Sequence, residues 1–193
     1  MLAEYRVPST GAVAPGRAAR SGAVVVAGGG GQWTEAVLSG NCYHAAMQAG
    51  AALGTALTAT AVTLTVHNPA GSGVYAAILE CTLGFSAGLA VAGNTAYVHA
   101  IQSTGLVNTQ PISVTLATVR NCLVGGGTGK VLAYTAATLG AVPVVARVMA
   151  TITLTGATPQ SESRGMIVDD IGGKLVLLPG FTVTFQCIGS ASS

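Results

Sequence analysis

The side chains able to do chemistry are few and far apart. Across 193 residues the chain carries three histidines, four cysteines and six carboxylates. His44, His67 and His99 lack the H-x-x-x-H spacing that puts two imidazoles on one metal. Cys42, Cys81, Cys122 and Cys187 form no C-x-x-C pair, and zinc and redox motifs need close pairs to set their geometry. With no secretory signal in view, they read as buried free thiols rather than as disulfides. Asp169 and Asp170 are adjacent, and neighbours on a strand point to opposite sides, so they are poorly placed for paired acid–base work. A calcium loop wants several oxygen ligands, and Glu162 is the one further carboxylate nearby.

Two sequence patterns come close to known motifs and fall short. Gly125-Gly126-Gly127-Thr128-Gly129-Lys130 approaches a phosphate loop. A P-loop needs a glycine five residues before the G-K pair and a Ser or Thr after it, where this chain has Val124 and Val131. The segment reads as a hairpin loop. No serine sits in a G-x-S-x-G elbow. The expectation is a chain that is not an enzyme and holds no cofactor and no metal.

Charge is scarce and uneven. Half of the residues are hydrophobic and 7% are charged, against roughly 25% in an average soluble protein. Such a chain cannot cover a monomer's surface with charge, so neutral surface is expected to be buried by partners. Residues 1–22 hold Glu4, Arg6, Arg17 and Arg20, a local excess of positive charge, while the remaining charges cancel. A basic segment on a neutral body suggests an arm that touches something acidic, a solvated tail being the other reading. Nucleic-acid binding needs a denser basic patch with aromatics nearby, so no nucleic-acid partner is expected. Ala36 to Leu79 has no charged residue, yet glycines, Pro69, threonines and histidines break it, and no window of ~20 residues is apolar enough to span a bilayer. Neither a membrane span nor a secretory signal is expected: residues 1–22 carry charges, Pro8 and Pro15, and the apolar run Ala23–Ala27 is short.

The elements that must position these residues read as strands. Residues 1–40 contain Pro8, Pro15, the run Gly28–Gly31 and the single tryptophan, Trp33, and are expected to form an extended N-terminal arm with a hinge. Arg6, Arg17, Arg20 and Trp33 are its candidate assembly contacts, guanidinium groups for carboxylates and the indole for an apolar surface. Residues 41–193 are expected to form one β-sandwich domain. Asn41 suits the N-cap of a short helix, but the alternation of Tyr43, Ala45 and Met47 suits a strand equally. Beyond Thr58 the period is two. The inward sets are Val62/Leu64/Val66, Tyr75 to Phe85, Ile112/Val114/Leu116, Val148 to Leu154 and Phe181 to Cys187. Threonine takes the outward positions in place of charge. Turn residues fall at Asn68–Gly73, Gly93-Asn94, Gly125–Gly129, Gly140–Pro143, Gly156–Pro159, Gly172-Gly173 and Pro179-Gly180. The reading is all-β: an antiparallel β-sandwich or jelly roll of about eight strands.

The segment Leu64-Thr65-Val66-His67-Asn68-Pro69-Ala70-Gly71-Ser72-Gly73 leads into a long strand. Gly172-Gly173-Lys174-Leu175-Val176-Leu177-Leu178-Pro179-Gly180 precedes the last one. Over residues 41–193 these patterns resemble the small jelly-roll virion proteins of tailed bacteriophages, the capsid cement or decoration proteins. The resemblance implies a homotrimer on the outer capsid surface, clamping neighbouring subunits of the major capsid protein, with no catalytic residues to carry over. It implies manufacture in the host cytoplasm and residence on the virion. The first forty residues have no counterpart in it. Another virion component, such as a tail protein or a head-fibre base, fits the same residues. So does a carbohydrate-binding jelly-roll module, although stacking platforms for sugars would have to come from Trp33 and five tyrosines.

Overall fold

The computed structural model describes residues 33–47, 50, 54–60, 63–84, 93–101, 111–154 and 167–189. One helix, α1 (Thr34–Leu38), precedes ten strands: β1 (Tyr43–His44), β2 (Leu64–His67), β3 (Ala76–Leu83), β4 (Gly93–Ile101), β5 (Ile112–Ala117), β6 (Arg120–Asn121), β7 (Leu132–Thr138), β8 (Val144–Leu154), β9 (Ile167–Leu177) and β10 (Thr182–Gly189). Among the described residues all pairings between these strands are antiparallel, and an isolated parallel bridge joins Gly54 to Ile188. Six strands form one sheet in the order β5-β7-β2-β10-β4-β8, with β3-β9 and β1-β6 as separate pairs. The protein is all-β, as its period-two patterning requires.

Its burial departs from the simple alternation. Thr65, His67, Thr182, Thr184 and Gln186, expected to face water, are all buried. The central sheet is covered on both sides, so its polar face is interior too. Threonine suits such a position because its branched methyl packs on the pleated surface while its hydroxyl can bond locally, as at Thr65 and Thr182, although the Thr184 hydroxyl has no partner among the described residues. Thr182 Oγ1 lies 3.0 Å from His67 Nδ1, and Gln186 is held by Thr58, donating to its carbonyl at 3.0 Å and accepting from its amide at 3.1 Å. The apolar residues of the outermost strand behave in the opposite way. Ile112, Val114 and Leu116, expected inside, are exposed because β5 has a partner on one side alone among the described residues.

Two of the expected turns are strand. Gly93-Asn94 opens β4, in register with Leu154 and Thr153. Gly172-Gly173 lies within β9, where the pairing to β3 shifts between Ile78 and Glu80. Both glycines have positive φ, 59° and 78°, and absorb the extra residues of a bulge. The same bulge resets β3, so Ala77 is exposed while Ile78 and Leu79 are both half-buried. The turns at Asn68–Gly73, Gly125–Gly129, Gly140–Pro143 and Pro179-Gly180 stand where expected, and Gly156–Pro159 lies outside the described residues.

The end of the expected arm is helical rather than irregular. After α1, Gly40 adopts φ 72° and its N–H reaches the Val37 carbonyl at 2.9 Å, while the Asn41 N–H reaches Ala36 at 2.9 Å. This is a Schellman closure. Asn41 therefore ends a helix and does not begin one, and Tyr43–His44 takes the strand alternative, pairing with β6.

Candidate functional site

The densest charged cluster joins the two principal sheets. His99 comes from β4, Arg147 from β8 and Asp169 from β9. Arg147 donates from Nε to Asp169 Oδ2 at 2.8 Å and from Nη2 to Oδ1 at 2.6 Å, the bidentate geometry that planar guanidinium favours. Asp169 is buried, whereas Arg147 is 42% exposed. The arginine's hydrogen bonds hold the Asp169 carboxyl below the usual carboxylate range, burial pulling the other way. Arg147 is in turn held more firmly in its charged form, chiefly by those same bonds.

His99 approaches this carboxylate at 3.7 Å from Nδ1, too far for a hydrogen bond. It is buried, and its ring packs edge-on to Phe185 at 4.9 Å between centroids. Among the described residues neither ring nitrogen has a hydrogen-bond partner. Burial lowers its pKa, with the neighbouring Asp169 opposing and Arg147 reinforcing that shift. An arginine-clamped carboxylate is a weak base, and the neutral imidazole sits behind it in the interior. The arrangement is suited to bracing: it ties β8 at the margin of the large sheet to β9 of the smaller pair.

Cys81 on β3 and Cys187 on β10 extend the same interior layer. Burial pushes their thiols up to about 12 and about 11 respectively. Both stay protonated at neutral pH; all four cysteines are unpaired and half-buried, where the sequence predicts them buried.

The second feature is the pair of margins of the six-stranded sheet. On β5, Ile112 is 64% exposed and Leu116 67%; on β8, Val144 is 59% exposed and Val148 53%. Natural edge strands are usually blunted by charge or proline. β5 has no charged residue, and the single charge of β8 is Arg147, already engaged with Asp169.

Of the candidate contacts read from the sequence, Arg6, Arg17 and Arg20 lie outside the described residues. Trp33 is half-buried at the start of α1. Its Cη2 lies 3.8 Å from where a Cβ on Gly173 would stand, beside Ala77 and Leu79, so the indole rests on the β3–β9 bulge. Asp169 and Asp170 diverge as expected, the first buried and the second exposed. The Gly125–Lys130 segment is not the expected hairpin loop, because β6 pairs with β1 and β7 with β2 and β5; it crosses between sheets, and Lys130 Nζ donates to the Ser72 carbonyl at 3.1 Å. Among the described residues no group of three or more His, Cys, Asp or Glu is placed to hold a metal ion, and no helix is long and apolar enough to cross a membrane. The His99–Arg147–Asp169 brace was not expected from sequence. Its one signal is a lone arginine in the otherwise uncharged run of β8.

No protein-family model matches the chain, and none of the curated proteins or solved structures compared with it matches either.

Proposed function

We propose that this chain is a structural virion protein, a capsid cement or decoration protein of a tailed bacteriophage that bridges subunits of the major capsid protein as a homotrimer. The observation that supports the reading is the pair of exposed apolar margins on the six-stranded sheet, in a chain where 7% of residues are charged. Strand edges of this kind are templates for association, and apolar surface on both of them suits a permanent contact between copies or with a lattice. The proposal includes jelly-roll connectivity, residues 1–40 as an anchoring arm with Arg6, Arg17, Arg20 and Trp33 as contacts, and location on the outer capsid surface.

Self-association is the first consequence. The purified chain is expected to sediment as a trimer at micromolar concentration. The double variant Leu116→Lys/Val148→Lys is expected to sediment as a monomer, each lysine weakening the contact by about tenfold or more, equivalent to ~1.4 kcal/mol. A wild-type monomer, or a trimer indifferent to both lysines, counts against this use of the margins.

The function itself is tested on particles. Mass spectrometry of purified virions should find the chain at a copy number matching the capsid lattice. Shells lacking it should take up full-length protein well and a chain deleted for residues 1–31 poorly. Copy numbers of a tail component would place the chain elsewhere in the virion, and binding on a glycan array with none to shells would favour a carbohydrate-binding module.

A further inference from the structure

Cys42 and Cys122 lie far apart in sequence yet flank the short β1–β6 pair from the same end. The register there is Tyr43 to Asn121 and His44 to Arg120. Continued by one step, it sets Cys42 directly opposite Cys122, and the Cys122 N–H donates to the Cys42 carbonyl at 2.9 Å. Burial, and the Cys122 thiol beside it, push the Cys42 thiol's pKa up, and Cys122 Sγ lies 3.8 Å from His44 Nδ1. Hydrogen-bonded antiparallel partners stand about 5.5 Å apart at Cα, inside the range of about 4.4–6.8 Å that a disulfide spans.

The register is pinned on both sides. Asn121 Nδ2 donates to the carbonyls of Gly40 at 2.8 Å and Gly127 at 3.2 Å, and its Oδ1 accepts from the Leu123 N–H at 2.8 Å. The Tyr43 ring lies flush with Gly129, where a Cβ would come within 3.1 Å of it. Both cysteines are half-buried, so small oxidants can reach them. Cys81 and Cys187 are also half-buried, but burial holds their pKa values up at about 12 and about 11.

We propose that Cys42 and Cys122 form a redox-set staple, open as two thiols under reducing conditions and closed to an intrachain disulfide by a small-molecule disulfide such as oxidised glutathione. The Cys122 thiol gives up its proton, with His44 Nδ1 as the adjacent acceptor. Its sulfur attacks the external disulfide, forming a mixed disulfide and expelling one thiolate. The Cys42 sulfur then attacks Cys122 Sγ, forming the Cys42–Cys122 bond and expelling the second thiolate. Two protein thiols are oxidised, one external disulfide is reduced to two thiols, and the two protein protons end on those thiols. The closed bond joins the end of α1 to the β6–β7 loop. It would be open in a reducing compartment and closed in an oxidising one. The inference is independent of the virion reading.

The test is peptide mapping of the full chain after exposure to oxidised glutathione, with free thiols blocked by iodoacetamide. The expected result is loss of two of the four alkylatable thiols and one linked peptide pair containing Cys42 and Cys122, reversed by dithiothreitol. Closure should also raise the melting temperature by about 10 °C, because the loop it closes is long. Cys42→Ser should abolish that rise, and Cys81→Ser should preserve it. Four thiols still alkylated after oxidation, or links confined to other cysteines or between chains, would overturn the proposal. Because the mapping uses the wild-type chain, it does not depend on any variant folding.

Discussion

Asn68→Asp is expected to destabilise the protein by about 4–6 kcal/mol, more than Asn68→Ala at about 3 kcal/mol. Asn68 is completely buried, and Pro69 after it holds it in extended backbone. Its Nδ2 donates to the carbonyls of Val74 at 2.7 Å and Leu177 at 3.0 Å, while Oδ1 accepts from Ser72 Oγ at 2.7 Å. Its backbone takes part as well, with its N–H on Phe181 O at 3.0 Å and its carbonyl accepting from Gly180 at 2.6 Å. Its side chain thus fastens the Asn68–Gly73 turn to the end of β9, while its backbone holds the Pro179-Gly180 turn. Alanine removes both amide donations, to Val74 and Leu177, and leaves the Ser72 hydroxyl with its longer 3.4 Å contacts to Val74 alone. Aspartate does worse, since a carboxylate of the same shape turns an acceptor toward two carbonyl oxygens in a buried site. Such a group takes up a proton, which raises its folded pKa. Its penalty is therefore full above that raised value and relieved as pH falls through it. Urea midpoints of the two variants against wild type, at neutral and at mildly acidic pH, check this. An Asp variant within about 1 kcal/mol of wild type would show that the hub does not hold the turns together.

That hub also marks how far the sequence could be read. Asn68-Pro69 and Pro179-Gly180 were legible as turns, because proline and glycine restrict or widen the backbone whatever surrounds them. That one buried residue joins them was not, because no local pattern encodes a contact between residues so distant in the chain. The alternation of Leu64 to His67 and of Phe181 to Cys187 gave the strands, but not which face lies inside. Threonine satisfies a buried pleat as well as a wet one, and the choice depends on whether a second layer covers the sheet. β4, β7 and β9 carried weaker signals. Alanines dilute the first two, and Asp169, Asp170, Gly172 and Gly173 make the third look like a loop. His99, Arg147 and Asp169 come from three strands, so their meeting required the strand order.

The protein should lose stability between pH 7 and pH 5.5, by at most about 2.5 kcal/mol, without any carboxylate taking part. His67 and His99 are both buried, and burial lowers the pKa of each from the ordinary 6.5. A hydrogen bond with the Phe181 backbone opposes the shift at His67, and the Asp169 carboxylate opposes it at His99, without reversing it. The unfolded chain binds a proton at each histidine as pH falls through about 6.5, while the folded chain stays neutral to lower pH. Unfolding is therefore coupled to proton uptake, and stability declines below about 6.5 until the folded-state values are reached. Each histidine contributes at most ~1.4 kcal/mol per pH unit in that window. Asp169 acts elsewhere on the scale. Its folded pKa is below 3.8, so the stability it gains from Arg147 is complete above that value and is lost as pH falls through the lower one. Urea titrations from pH 8 to pH 5 would show the decline, and His67→Asn or His99→Asn should each remove about half of its slope. A flat profile across that range would mean that the imidazoles take up protons in the folded state, and that the interior between the sheets admits charge more readily than its burial implies.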